Sequence, residues 1–160
     1  MKSEGTIRGM KPGDLVYSTK GWSTFFVGHV GIVGQDMLIH HSHPLGAFSE
    51  TLSRYKSRHK FGGEILLLRP KTAANEAANW AQANIPYVKR YLFDPRLKGV
   101  SNNYCSKFIW QAFWNGAGLD LTNHHLTSNR ISWVYPYQIK RSTYLQTKDS
   151  IIVPPALTHL

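Results

Sequence analysis

Residues 27–44 read VGHVGIVGQDMLIHHSHP: two short runs rich in Val, Ile and Leu, separated by Gly34, Gln35 and Asp36. This pattern predicts two antiparallel strands joined by a tight turn. An isolated hairpin is marginal in water, so it commits the chain to a larger sheet or to a covering helix. Side chains alternate across a strand, and the turn length therefore decides which histidine shares a face with His29. A two-residue loop of Gln35 and Asp36 puts His40 on that face, as the diagonal neighbour of His29. A three-residue loop puts His41 there instead. Two-residue loops are the commoner choice, and the reading takes His40.

The rest of the chain supplies further strands and helices. KPGDLVYS (11–18) is a Pro-Gly turn feeding a strand, and GEILLLRP (63–70) is a buried strand closed by Pro70. FSETLSRYKSRH (48–59) predicts a short helix with Ser49 as its cap. KTAANEAANWAQAN (71–84) predicts an alanine-rich helix stopped by Pro86. A polar, aromatic loop (86–103) leads to NYCSKFIWQAFWNGAG, a helix capped by Asn102 or Asn103 and ended by Gly116 or Gly118. Phe108, Ile109, Ala112 and Phe113 recur at helical spacing and belong in the core, with Trp110 and Trp114 beside them. SIIVP (150–154) is a last strand. The expected fold is α+β in a single domain over residues 1–160, a small antiparallel sheet packed on the helix that carries the cysteine.

Several function classes fall away on counting. One cysteine, Cys105, allows neither an internal disulfide nor a four-cysteine zinc cage. No apolar run reaches the roughly 20 residues of a spanning helix, and MKSEGTIRGMKPGD is not the apolar stretch of a secretory signal. The formal charge of +10 suits an anionic polymer or lipid surface. The basic residues are scattered and match no nucleic-acid motif, so a solvated basic surface is the preferred reading and no nucleic acid is expected.

Chemistry concentrates at Cys105 and the histidines. Cys105 opens its helix, where unpaired N–H groups and the helix dipole favour a thiolate and rapid reaction near neutral pH. Taken alone it is equally a small buried hydrophobe, and His29 alone is equally a satisfied core ring. Together with a second polar residue on the adjoining strand they make the parts of a thiol site: nucleophile, base and orienting group. Tyr104 is expected to wall the cleft. Trp22 and Phe26, with Phe25, offer an apolar wall for a ligand or simply core packing. His29, His40, His41 and His43 provide imidazoles but no zinc spacing, and the His-rich stretch is expected to be exposed. His59, His124, His125 and His159 have no partner pattern and are read as surface residues.

The motifs GDLVY, GHVGIV, MLIHHS and YCSKFIWQAF, in this order, resemble the circularly permuted branch of the NlpC-type papain-like hydrolases, the YiiX-like and YycO-like proteins. The wider superfamily runs its CSxF motif first, then HVGIY, then IHAS; here the cysteine motif comes last. The likeness extends from Gly13 to about Pro154, VYPYQIKRSTYL being similar to the closing Pro-containing segment. It implies a small papain-like sheet or barrel on the cysteine helix, with Cys105 as nucleophile, His29 as base and His40 as orienting residue. It further implies a Cys105 N–H donor for the oxyanion, no cofactor, and a peptide of the bacterial-wall type as substrate. Two alternatives stay open. One is a non-catalytic peptide or amino-acid binding module; the other is a lipid-directed acyltransferase or hydrolase, since the lecithin:retinol acyltransferase-like proteins share the permuted order but carry NCEHF where this chain has YCSKF.

Overall fold

A computed structural model describes residues 9–19 and 28–155, and its frame is a six-stranded antiparallel sheet. In chain order come β1 (Leu15–Ser18), β2 (His29–Val33), β3 (Ile39–His43), β4 (Gly46–Glu50), helix α1 (Leu52–Ser57) and β5 (Gly63–Pro70). Helix α2 (Ala74–Asn84) runs into a 3-10 turn over Ile85–Tyr87. Two short strands follow, β6 (Arg90–Tyr91) and β7 (Asn102–Asn103), then α3 (Cys105–Ala117), α4 (Pro136–Lys140) and β8 (Leu145–Val153). The sheet order is β4-β3-β2-β1-β5-β8, while β6 and β7 form a separate parallel pair.

Both faces of the sheet are covered, which explains why its strands read as near-continuous apolar runs. Leu15, Tyr17, Val30, Ile32 and Leu68 pack with Phe108, Ile109, Ala112 and Phe113 of α3 and with Ala77 and Ala81 of α2. Val16, Val33, Ile39, Ile65 and Leu67 pack on the other face with Tyr55 of α1. Neighbouring residues of one strand thus feed two cores, the alternation a pleated strand imposes. The four apolar residues expected of α3 are all fully buried. Gly118, at φ +68°, closes α3 as its C-cap.

Three local expectations need correction. The first is the single helix over 48–59. Residues 46–50 instead form β4, in register with β3 from Ile39↔Glu50 to His43↔Gly46. The helix starts later, with Thr51 Oγ1 accepting from Arg54 N (3.2 Å), not with Ser49. Residues before that cap gain more by completing the sheet than by adding a solvent-facing turn.

The second is the hairpin loop. Gly34 N donates to Leu38 O (2.9 Å) and Met37 N to Gly34 O (3.0 Å), enclosing three residues, Gln35, Asp36 and Met37. Met37 takes the left-handed conformation (φ +63°) that such a loop demands. The register becomes Ile32↔His40 and Val33↔Ile39, one step from the expected pairing. The third is the cap of α3. Tyr104 occupies it, and the Asn103 amide turns inward to Gln111 (2.7 Å).

Candidate active site

The one-residue change of register transfers the role beside His29 from His40 to His41. His29 Nε2 and His41 Nδ1 lie 2.8 Å apart, and His41 Nε2 lies 2.7 Å from Glu50 Oε1. His40 turns to the opposite face, where Nδ1 meets Ser49 Oγ (2.7 Å) and Nε2 meets Asp36 Oδ1 (3.0 Å). The expectation that His40 orients His29 is therefore replaced: His41 holds that position, as the three-residue loop requires. Nor is the histidine stretch exposed. His29, His40, His41 and His43 are all buried, and so is His59, whose Nε2 lies 2.7 Å from Ser18 Oγ. His124 and His125 are exposed; His159 lies outside the described residues.

Glu50 and Arg58 complete the line, and the sequence reading missed both. Arg58 donates from Nε to Glu50 Oε1 (2.7 Å) and from its terminal nitrogen to Oε2 (2.9 Å), a bidentate fork. Burial opposes charge on Glu50, but the hydrogen bonds from His41 and Arg58 outweigh it and hold the carboxyl at about 2. Burial lowers His41 as well. Burial, reinforced by the neighbouring rings of His41, His43 and His59 and by Arg58, holds His29 well below the ordinary imidazole range. At neutral pH the line thus joins one carboxylate to two neutral imidazoles.

The proton positions follow from that. An ionised Glu50 only accepts, so His41 must donate to it from Nε2–H. A neutral His41 then has Nδ1 as acceptor, and His29 must donate to it from Nε2–H. A neutral His29 is left with an unprotonated Nδ1. The arrangement fixes one tautomer at each ring and makes Nδ1 of His29 the basic atom.

Cys105 reaches the same strand from α3, on the face of Val30 and Ile32, whereas the His29 ring lies on the other face against Tyr55, so the structure does not bring the two expected catalytic groups together. Its sulfur accepts from the backbone N–H of Val30, the residue after His29, and from N–H groups of the helix start at Cys105 and Ser106. Those donors do not create a resting thiolate. Burial prevails and pushes the thiol up to about 11, against the lowered value expected from the helix start.

The residues flanking Cys105 clamp one opposing segment. Tyr104 Oη accepts from Val134 N (2.9 Å), and Ser106 Oγ donates to Val134 O. This holds residues 133–137 across the thiol. The cleft between has a volume of about 510 Å³ and is lined by Cys105 together with Tyr91, Phe93, Tyr104, Trp133, Tyr135 and Tyr137. Tyr104 lines the cleft, with its hydroxyl used in the clamp. Trp22 and Phe26, the other two expected wall residues, lie outside the described residues.

No protein-family profile matches the chain, and no curated protein matches it. Among solved structures it is similar to the crystal structure of metalloprotein yiiX from Escherichia coli O157:H7 (DUF1105). The TM-score is 0.63 at 14% identity, covering 87% of this chain and 96% of that one. The likeness establishes a shared α+β fold. YiiX is described as a metalloprotein, but the described histidines of this chain do not fit a metal centre. His29 Nε2 and His41 Nδ1 are engaged with each other, and the second nitrogen of His41 is engaged by Glu50. Among the described residues no group of three or more His, Cys, Asp or Glu side chains is placed to hold a metal ion.

Proposed function

We propose that the protein is a cysteine hydrolase of the permuted papain-like kind, with Cys105 as nucleophile, His29 as base and His41 as the orienting residue. The observation that carries this reading is the unbroken line from Arg58 through Glu50 and His41 to His29. It fixes the tautomer of His29, on the strand whose next residue, Val30, donates its N–H to the thiol from the opposite face. A ring buried only for packing has no need of an ionised carboxylate directing it through a second ring.

In this mechanism Nδ1 of His29 takes the proton of Sγ as the sulfur attacks the substrate carbonyl carbon, a transfer that requires the His29 ring, packed here against Tyr55, to turn to the Cys105 side of β2. The N–H of Cys105 donates to the developing oxyanion. His29 then returns the proton to the leaving amine or alcohol, and the acyl group stays on sulfur as a thioester. Water attacks the thioester with its proton passing to His29, and the carboxylic acid departs as the thiol reforms. With the thiol pushed up to about 11 and the imidazole held low, both groups rest neutral, so proton transfer accompanies attack instead of preceding it.

For the substrate, the resemblance in sequence points to an amide bond in a peptide of the bacterial-wall type. One observation favours a second reading, an acyl group of a lipid. The cleft at Cys105 is lined by six aromatic rings and by no charged side chain. A wall-type peptide brings carboxylates and amines that call for charged partners, whereas an acyl chain asks for an apolar slot.

The test is intact-mass trapping of the acyl-enzyme with wall stem peptides and with short-chain acyl esters. The expected result is an adduct on Cys105 that Cys105→Ala abolishes, with faster turnover of the ester than of the peptide. Faster peptide turnover would reinstate the wall reading. Neither adduct nor turnover, with ligand binding retained, would make the protein a binding module.

A further inference from the structure

The cleft opens through a rim that is unusual for a protein in water. Leu92, Phe93, Ile131, Trp133, Tyr135 and Tyr137 are between 42% and 76% exposed. They form one patch, because the segments carrying them run side by side. Arg96 bridges to Ile131, Ser132 N donates to Pro95 O (2.9 Å), and the rings of Tyr135 and Tyr137 stack 5.6 Å apart. Contiguous exposed apolar surface of this kind marks an interaction site. Its composition of Trp, Tyr, Phe, Leu and Ile is that of residues seated at a membrane–water boundary.

Charge selects the partner. Residues 87–100 and 130–141 carry seven basic side chains (Lys89, Arg90, Arg96, Lys98, Arg130, Lys140 and Arg141) against one acid, Asp94. Asp94 is itself buried and held by Arg96 through paired contacts of 2.9 and 2.8 Å. The segments that carry the rim thus combine apolar side chains with six cations beyond the Arg96–Asp94 pair. That is the complement of an anionic bilayer, whose headgroups meet the cations while its acyl region meets the rim. A free acidic peptide would satisfy the cations and leave the aromatic rim in water.

From this juxtaposition we propose that the rim of the Cys105 cleft docks on an anionic lipid surface and draws an acyl chain from it into the aromatic slot. The inference rests on the lipid reading of the site for its second half, whereas the docking stands by itself. The lysines and arginines bring the molecule to the surface, Leu92 and Ile131 enter the headgroup boundary, and the cleft mouth is left facing the acyl region. Leu92 and Ile131 do not line the cleft, which lets docking and catalysis be separated.

The experiment is co-sedimentation of the full chain, as Cys105→Ala, with vesicles of phosphatidylcholine alone or mixed with phosphatidylglycerol. Binding is expected to the mixed vesicles, to fall with added salt, and to weaken by about tenfold or more in Leu92→Ser/Ile131→Ser. Ile152→Ser, on the far edge strand β8, serves as the control and binds like the parent. Thermal melting confirms that each variant is folded. In the Cys105 background the Leu92→Ser/Ile131→Ser pair is expected to keep hydrolysis of a soluble short-chain ester while losing hydrolysis of vesicle lipid. Equal binding to both vesicle types, or undiminished binding by the rim variant, overturns the docking. Docking without hydrolysis of any lipid acyl bond leaves the surface in place and overturns the acyl substrate.

Discussion

At the scale of single residues, the site turns on which of two adjacent histidines faces His29. His41 is bonded to both His29 and Glu50, whereas His40 bonds to Ser49 and Asp36. His41→Ala is therefore expected to lower kcat by about tenfold or more with little change in KM, since the lost function is orientation of the base. His40→Ala is expected to keep most of the activity. Steady-state kinetics of the two variants read this directly, and a reversed order would return the orienting role to His40. Glu50→Gln separates charge from shape: the amide keeps the length but loses the carboxylate that fixes the His41 tautomer, so it should resemble His41→Ala. The thiol gives a second residue-scale expectation. With burial holding it up at about 11, Cys105 should alkylate with iodoacetamide at pH 7 at least about tenfold more slowly than free cysteine. A rate equal to that of free cysteine would mean a thiolate already present.

Elements were more legible than their edges. The α3 helix, its four core residues and its closing glycine follow from period and composition, because thirteen residues repeat one signal several times. The hairpin's existence was equally plain, but its register depended on one loop residue. Gln-Asp-Met has no glycine at the left-handed position that Met37 occupies, so nothing in the sequence announced a three-residue loop. Glu50 was hidden for a related reason. ETLSRYKSR reads as helix from its first residue, yet Glu50 ends β4 and only there comes opposite His41. Met37→Gly is expected to raise stability by about 1 kcal/mol, since it removes the cost of an L side chain at positive φ. A lower Tm would show that the Met37 side chain contributes more than the strain it carries. The clamp on α3 makes the opposite case. Gln111 donates to Leu97 O and Gly99 O (both 2.8 Å) and accepts from Asn103, pinning the loop before β7. Gln111→Leu leaves these buried groups without a partner and is expected to cost about 3 kcal/mol, measured by urea denaturation.

At the scale of the whole molecule, the histidines couple function to acid stability. Burial lowers His29 and His41, and it brings His43 and His59 each to about 4, so the folded protein resists protonating four rings that an unfolded chain protonates near 6.5. Because the folded values lie below the unfolded one, the unfolded state holds more protons between the two. Stability is complete above about pH 6.5 and is lost as pH falls through the folded values, at about 1.4 kcal/mol per pH unit for each ring kept neutral. Glu50 does not share this window. Its carboxyl sits at about 2, so its contribution is complete above the ordinary carboxylate value and disappears only in stronger acid. The protein is therefore expected to unfold cooperatively between about pH 6 and 4, a range in which isolated surface histidines would have little effect. Chemical denaturation across that range should give a midpoint that drops steeply with acid, and His43→Asn or His59→Asn should each flatten the drop. Hydrolysis should show its acid limb below the ordinary imidazole range, because burial keeps His29 neutral there and only its protonated form is no longer a base. A flat stability profile from pH 7 to 4 would mean that the rings accept protons within the fold, and the neutral relay from Glu50 to His29 would then have to be redrawn with His41 charged.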